Sequence, residues 1–174
     1  MDDSPFICAR CAAVNPTCCR TAPGNSAQCF PLSEAEKARL APYAASLGVP
    51  EAEVEYNTPE FLKIMGVLFP DKKKEVHAAF PPGEPHWRLP LSADGKCLFL
   101  LEDGCSLPRE ARPWYCQLFP IWVRGKYFDR FQPEGCLLTH EARRLPDVFT
   151  ALGLGREEAK SMYMSLCRDW GLAT

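Results

Sequence analysis

The sequence predicts a mainly helical α+β fold with small β elements, a single compact domain wrapped around a cysteine-lined metal centre. Three observations support this prediction. Helix start signals recur along the chain, short apolar runs between turn dipeptides indicate small strands, and the 10 cysteines fall into two separate groups. A chain of 174 residues is long enough to bury a hydrophobic core, so one domain over 1–174 is expected.

The first predicted helix begins with a capping-box pattern. Ser33 and Glu36 are spaced so that each side chain can bond the backbone N–H of the other, which predicts a helix over about 34–47. The helix is expected to end before Gly48. Pro42 lies inside it and predicts a kink or a detached last turn.

Two further helices and a loop are predicted next. Thr58-Pro59-Glu60 opens a helix whose apolar face is formed by Phe61, Ile64, Met65 and Leu68. A short helix is expected over 71–79. The proline-rich residues 80–92 are expected to form a loop.

Small strands are predicted in the second half of the chain. One is expected near 97–101, because the turn dipeptides Asp94-Gly95 and Asp103-Gly104 bracket that apolar run. A β-hairpin is expected from 121–123 and 126–128, across Arg124-Gly125.

Helical segments follow these strands or lie between them. Arg112-Pro113 predicts a short helical turn that carries Cys116. Two helices are expected to close the chain, one over about 139–152 with a bend at Pro146 and one over about 156–170.

Charge and hydropathy exclude several classes of protein. The 20 Lys and Arg residues and 22 Asp and Glu residues leave a net charge of −2, which argues against a nucleic-acid partner. The longest apolar run, Cys97–Leu101, is far shorter than a membrane span. The opening residues are acidic, whereas a signal peptide begins with basic residues. We therefore expect a cytoplasmic protein with no membrane partner.

The distribution of the cysteines is uneven. Five lie within the first 29 residues, four lie between 97 and 136, and Cys167 stands alone, whereas residues 30–96 contain none. In a reducing compartment, clustered cysteines are more often metal ligands or catalytic groups than disulfides. We therefore expect the fold to bring the two groups together around one or two metal centres. A disulfide framework is the alternative for an exported protein.

The spacing of the cysteines favours metal ligation. In the first group, Cys8-x-x-Cys11 directs two thiolates at one centre, a geometry that suits zinc and iron–sulfur clusters alike. Cys18 and Cys19 are adjacent, so in an extended segment they would serve two sites, or one site through a strained turn. The second group consists of Cys97, Cys105, Cys116 and Cys136.

This pattern resembles the YkgJ-type cysteine-cluster family, which is described as a zinc- or iron-chelating CxxCxxCC domain. The resemblance covers about residues 6–140, and the helices over about 139–170 lie beyond this family-like core. Besides the cysteines, it rests on Leu32–Leu40 and on the motif Arg112-Pro113-x-x-Cys116-x-x-Phe119-Pro120.

The resemblance implies a set of metal ligands. One departure from the family pattern is that six residues separate Cys11 from Cys18, where two is the commoner gap. The implied ligands are the eight matching cysteines, Cys8, Cys11, Cys18, Cys19, Cys97, Cys105, Cys116 and Cys136.

Two cysteines and the histidines lie outside the pattern. Cys167 follows a helical apolar spacing and is expected in the core. For Cys29, the roles of spectator and spare ligand are evenly balanced. His140 lies one helical turn after Cys136 and could share its metal, although its context also fits an ordinary helix start. The histidines expected to be exposed or capping are His77 and His86.

The expected cofactor is zinc or an iron–sulfur cluster. Soft thiolates select these metals over magnesium or calcium, and four thiolates leave the same net charge on Zn²⁺ as on a [4Fe–4S]²⁺ cluster. A metal-binding protein is favoured over an enzyme, because the chain contains no phosphate-cradling glycine loop, dinucleotide fingerprint or HExxH motif. Moreover, no single thiolate is paired with an evident catalytic base.

Two other functions stay open. Similar cysteine domains occur in flagellin lysine N-methylase, so the resemblance also allows a metal-dependent enzyme or enzyme accessory in protein modification. The other function is a zinc-stabilised protein interaction domain, which an exposed apolar patch around 114–122 would favour. In the metal-binding interpretation, the aromatic residues around Cys116 shield the metal site.

Overall fold

The computed structural model describes residues 7–14, 18–21, 29–133 and 135–172. In these ranges the helices are α1 Ile7–Val14, α2 Glu34–Leu47, α3 Pro59–Leu68, α4 Lys73–Ala79, α5 Trp114–Leu118, α6 Leu137–Glu141, α7 Leu145–Leu152 and α8 Arg156–Asp169. The strands are β1 Pro31–Leu32, β2 Glu53–Tyr56, β3 Pro85–Arg88, β4 Leu100–Leu101, β5 Gly104–Cys105, β6 Ile121–Arg124 and β7 Tyr127–Arg130. They form one antiparallel sheet in the order β1-β3-β2 and two two-stranded sheets, β4-β5 and β6-β7. This mixture of helices and small antiparallel sheets confirms the predicted α+β class.

α2 begins where the capping box predicts. The Ser33 Oγ accepts from the Glu36 N–H at 3.1 Å, and the Glu36 Oε2 accepts from the Ser33 N–H at 2.9 Å. The helix runs through Pro42 to Leu47 and ends at Gly48, so the detached last turn was wrong. Pro42 and Ala38 are exposed, and the Ala38 carbonyl that loses its helical donor is therefore open to hydration.

α3 and α4 confirm the next two predicted helices. The Thr58 Oγ1 accepts from the Phe61 N–H at 3.2 Å and caps α3. Three residues of the predicted apolar face, Phe61, Met65 and Leu68, are buried. α4 covers most of the predicted range 71–79.

The central strand of the three-stranded sheet lies in the segment 80–92, which was wrongly expected to be a loop throughout. β3 pairs with β1 on one side and with β2 on the other. Pro85 stands at the first position of the strand, where a residue without an N–H is tolerated. Both partner strands are distant in sequence, so the local proline content outweighed a pairing that only the tertiary structure reveals.

The small strands of the second half are present but differ in extent. β6 and β7 form the predicted hairpin, and its two-residue turn is Gly125-Lys126, one residue later than expected. Of the strand expected near 97–101, Leu100–Leu101 pairs with β5, and Cys97 forms an isolated antiparallel bridge with Leu91, while a turn at Leu98 and Phe99 interrupts the strand.

The helices of the second half also differ in one respect from the prediction. α5 and α8 confirm the short turn that carries Cys116 and the last helix. The helix expected over 139–152 is instead two helices, α6 and α7. Pro146 stands at the start of α7, where its missing N–H removes no helical hydrogen bond, so it begins a helix rather than bending one.

Two hydrophobic clusters form the interior. The larger contains buried residues of α3, α7, α8 and β6, and there the Trp122 Nε1 donates to the Leu68 carbonyl at 3.1 Å. The smaller contains Leu40 and Ala44 of α2, together with Cys97 and Phe99. Among the helices of the described ranges, none combines the length and apolarity needed to cross a membrane.

Glu36 is a fully buried carboxylate that connects three helices. Besides the Ser33 N–H, it accepts from the Trp114 N–H at 2.8 Å and from the Trp170 Nε1 at 2.9 Å. Buried polar groups are stable only when they are hydrogen-bonded. Glu36 therefore ties the start of α2 to α5 and to the end of α8.

His86 is buried in β3 and not exposed or capping, so that expectation was wrong. Its ring stacks on Phe61 with the centroids 4.3 Å apart, and its Nδ1 lies 2.8 Å from the Asn57 Oδ1. The Asn57 Nδ2 donates to the Pro81 carbonyl, which orients the amide oxygen toward the histidine. The His86 Nδ1 is therefore the protonated donor of a neutral ring.

Acidification should destabilise the protein through His86. Burial lowers its folded-state pKa to about 4, opposed by Glu55 and reinforced by Arg88, whereas an unfolded histidine titrates near ~6.5. The unfolded state therefore binds the proton first, and about 3 kcal/mol of stability is lost as pH falls from about 6.5 to about 4. Urea unfolding should show this loss in the wild type and in His77→Gln, whose histidine is exposed, but not in His86→Phe. An unchanged pH slope in His86→Phe would contradict this prediction.

Candidate metal centre

The Cys-x-x-Cys motif forms one turn of α1. Cys8 and Cys11 both lie on this helix, and residues three apart share a helix face. The Cys11 side chain is half-buried, whereas the Cys8 side chain lies outside the described residues. α1 packs against β5, which carries Cys105, and against α6, which Cys136 precedes. The first group of cysteines is therefore adjacent to the second.

The backbone also joins the two groups at the adjacent cysteines. The Cys97 N–H donates to the Cys19 carbonyl at 2.8 Å, and Arg20 and Lys96 form an antiparallel bridge beside it. The Cys19 side chain is half-buried, whereas that of Cys18 is exposed.

Two cysteines of the second group receive hydrogen bonds from the backbone two residues further on. The Phe99 N–H donates to the Cys97 sulfur, and the Leu107 N–H donates to the Cys105 sulfur. An N–H that donates to sulfur favours the thiolate over the thiol. The same local arrangement thus occurs twice, and each time it supplies a donor that suits a metal-bound thiolate.

Cys116 on α5 completes a cluster of four thiols. Burial raises the Cys116 pKa well above its usual value, and the charges of Cys19, Cys97 and Cys105 raise it further. Such coupling requires that the four sulfur atoms lie near one another. We call Cys19, Cys97, Cys105 and Cys116 the thiol cluster.

Burial makes charge in the thiol cluster unfavourable. It raises the Cys97 pKa to about 12, and it also raises the Cys105 pKa, which the Arg112 guanidinium partly opposes. Without a cation the buried groups are therefore protonated at neutral pH. A soft metal ion that displaces these protons would supply the charge that makes the thiolates stable in the interior.

The cysteine donors suit a soft metal in their chemistry, but not in their spatial arrangement. Soft thiolates suit zinc and iron–sulfur clusters. Within residues 7–14, 18–21, 29–133 and 135–172, however, no three Cys, His, Asp or Glu side chains are arranged to hold a metal ion. The sulfur atoms are therefore close together without forming a coordination shell.

The thiol cluster accounts for four of the eight predicted ligands, and among the others the Cys8 side chain lies outside the described residues. Arg10 of α1 forms a bidentate ion pair with Glu141 of α6, with N···O distances of 3.0 and 2.7 Å. This pair holds α1, which carries Cys11, against α6, which follows Cys136. Cys136 itself is half-buried at the N-terminus of α6.

The residues outside the pattern have distinct surroundings. Cys167 is buried on α8, as predicted, and accepts a hydrogen bond from the Tyr163 hydroxyl. His140 is exposed, and its N–H donates to the Cys136 carbonyl at 3.3 Å, as in an ordinary helix start. Cys29 is buried beside Arg88, a partner that the sequence did not reveal because β3 was expected to be a loop. All nine cysteines with described side chains are thiols rather than disulfides.

The aromatic segment around Cys116 faces the interior. Every residue of 114–122 is buried or half-buried, so this segment does not form the exposed apolar patch that would favour an interaction domain. The Trp114 Nε1 donates to the Asp169 Oδ2 at 2.8 Å, and the Tyr115 ring stacks on Phe30.

The close approach of α1 to β5 requires glycine at Gly104. Its φ is +111°, and a Cβ there would lie 3.1 Å from the Ala9 Cα. Gly104→Ala should therefore cost about 1–3 kcal/mol in the free energy of unfolding, measured in urea under reducing conditions. Gly66→Ala in α3 is the matched control, since a Cβ meets nothing within 4 Å there, and it should stabilise the helix slightly. Equal stabilities of the two variants would show that α1 does not pack tightly on β5.

Comparison of the chain with protein-family models, with curated protein sequences and with solved structures finds no match.

Proposed function

We propose that the chain is a metal-binding protein of the YkgJ type, in which clustered cysteine thiolates chelate zinc or an iron–sulfur cluster. The observation that carries the proposal is the thiol cluster. It combines Cys19 from the first group with three cysteines that lie far away in the sequence, and their sulfur charges are coupled. Cysteines that served only as small core residues would not need to meet in one place.

The surroundings of the sulfur atoms support ligation over simple burial. Cys97 and Cys105 each accept a backbone N–H, and Arg112 lies near enough to favour the Cys105 thiolate. These groups stabilise negative charge on sulfur, which a buried neutral thiol does not require. The Arg112 Nε also donates to the Leu107 carbonyl at 2.9 Å, which steadies the residue whose N–H bonds Cys105.

Uptake of metal in this proposal is coupled to local ordering. The sulfur atoms must approach one another to form a coordination shell, and the ligands must lose their protons. Metal binding should therefore stabilise the fold, and chelation should partly unfold it. The bound group supplies the positive charge that the cluster lacks.

Anaerobic purification followed by elemental analysis and a visible absorption spectrum tests the proposal. We expect metal in stoichiometric amount. Zinc in a colourless protein would select the zinc form, whereas iron with sulfide and a brown colour would select the iron–sulfur form. A folded, reduced protein that carries neither metal, and takes up neither on reconstitution, would contradict it.

A further inference from the structure

We propose that Cys19 and Cys97 are an oxidative cross-linking site, at which a low-molecular-weight disulfide such as glutathione disulfide joins the two sulfur atoms. Both side chains are thiols in this structure, Cys97 buried and Cys19 half-buried. The cross-link requires no bound metal, so this inference goes beyond the proposed function and does not depend on it.

Backbone pairing places Cys19 opposite Cys97. Arg20 and Lys96 form an antiparallel bridge, so the residue before Arg20 faces the residue after Lys96. The Cys97 N–H donates to the Cys19 carbonyl at 2.8 Å, as this register requires. Opposed residues of an antiparallel pair have Cα atoms roughly 4.5–5.5 Å apart, within the range of about 4.4–6.8 Å that a disulfide spans.

The side chains of Cys19 and Cys97 point to the same side of this pairing. Opposed residues of antiparallel segments do so in general. Here both side chains pack in the smaller hydrophobic cluster, with Leu40 and Phe99. Cys18, the neighbour of Cys19, is exposed. The cysteine of the first group that faces Cys97 is therefore Cys19 and not Cys18.

Gly95 sets the close approach of the two segments. Its φ is +79°, and a Cβ there would collide with the Thr21 carbonyl oxygen. The Thr21 N–H donates to the Gly95 carbonyl at 2.9 Å, and the Thr21 Oγ1 donates to it at 3.3 Å. On its other side, Cys97 forms a second antiparallel bridge with Leu91. Cys97 is thus held between two segments, one of which carries Cys19.

The cross-link forms in two exchange steps. The thiolate of Cys19, the more accessible sulfur, attacks glutathione disulfide, forms a mixed disulfide and releases one glutathione. The Cys97 thiol then loses its proton, and its sulfur attacks the Cys19 sulfur and displaces the second glutathione. Each departing glutathione thiolate takes up the proton that one cysteine has lost. Two protein thiols are therefore oxidised, and one glutathione disulfide is reduced to two molecules of glutathione.

The geometry suits a reversible modification rather than a permanent structural bond. Opposed Cβ atoms lie roughly 4.5–5.5 Å apart, whereas a disulfide brings them to about 3.8 Å. The segments must therefore move closer when the bond forms, and a strained disulfide is easily reduced. While the bond lasts, it ties the segment that carries Cys19 to the smaller hydrophobic cluster.

Tryptic mapping of the full chain tests this inference. The protein is reduced, freed of metal with a chelator, treated with glutathione disulfide, alkylated and digested. We expect a disulfide between the peptides 11–20 and 97–109, which fragmentation assigns to Cys19 and Cys97 and which dithiothreitol removes. A bond at Cys18 or Cys105 instead, or no bond between the two peptides, would overturn the inference and leave the proposed function standing.

Two glycine variants keep every cysteine and test the pairing itself. Gly95→Ala should lower the yield of the bond roughly tenfold, because the added Cβ forces the two segments apart. Gly83→Ala is the matched control, since its φ of +77° is as unfavourable for alanine but a Cβ there meets nothing within 4 Å. Its yield should stay within twofold of the wild type. Equal yields in the two variants would show that the bridge does not bring the sulfur atoms together, and would overturn the inference.

Discussion

Under the proposed metal-binding function, replacing Cys97 with serine should remove at least nine-tenths of the bound metal. Cys97 is buried, accepts the Phe99 N–H and is bonded through its own N–H to the carbonyl of Cys19. A serine hydroxyl at this position is a poor ligand for a soft metal, and it leaves the remaining thiolates without one of their partners. Elemental analysis of the purified variant measures the loss directly.

Cys167→Ser is the matched control for this experiment. Cys167 is also buried, but it lies on α8 next to Tyr163 and outside the thiol cluster. This variant should retain the metal of the wild type. Added metal should raise the melting temperature of the wild type and of Cys167→Ser, because a ligand that binds only the folded state stabilises it, but not that of Cys97→Ser. Equal metal contents in the two variants would contradict the assignment of Cys97.

Of the predicted changes in stability that do not depend on metal, the loss on replacing Glu36 with alanine should be the largest. Three N–H groups donate to this fully buried carboxylate, from Ser33, Trp114 and Trp170. Each buried donor left without a partner costs about 1–3 kcal/mol, so Glu36→Ala should lower the free energy of unfolding by about 3–5 kcal/mol. Urea unfolding, followed by tryptophan fluorescence under reducing conditions, measures it.

Two comparisons isolate the role of the Glu36 carboxylate. Glu36→Gln keeps one oxygen acceptor and should lose less stability than the alanine variant. Glu34→Ala removes an exposed carboxylate in the first turn of the same helix and should change stability far less, although Glu34 contacts Lys37 and Trp87. A similar loss in Glu34→Ala and Glu36→Ala would show that helix charge, and not the buried hydrogen bonds, stabilises this end of α2.

The predicted elements that proved correct depend on neighbours in the sequence. The hydroxyls of Ser33 and Thr58 bond N–H groups three residues away, so local spacing was enough to locate both helix starts. The strand β3 depends on pairing with β1 and β2, which no local pattern encodes. The bend predicted at Pro146 was wrong, because whether a proline bends a helix or begins one depends on where the helix starts.

The side-chain contacts of the candidate site likewise depend on tertiary structure that local sequence does not encode. Spacing separated the cysteines into two groups, and the structure brings Cys19 of the first beside Cys97 of the second. Spacing did not reveal that Arg88 lies on Cys29, because that contact forms only when β3 joins the sheet. It also did not reveal the buried carboxylate of Glu36, since a capping box predicts one hydrogen bond of that side chain and not its bonds to two tryptophans.

The long sequence separation within the thiol cluster affects the protein while it is being synthesised. Cys19 and Cys116 are 97 residues apart, so at typical translation rates about 5–20 s pass between their additions to the nascent chain. During that interval the first thiols have no partners from the second group and are open to oxidation or to other metals. Under the proposed metal-binding function, the emerging N-terminal thiols must stay reduced until Cys116 has been added to the nascent chain.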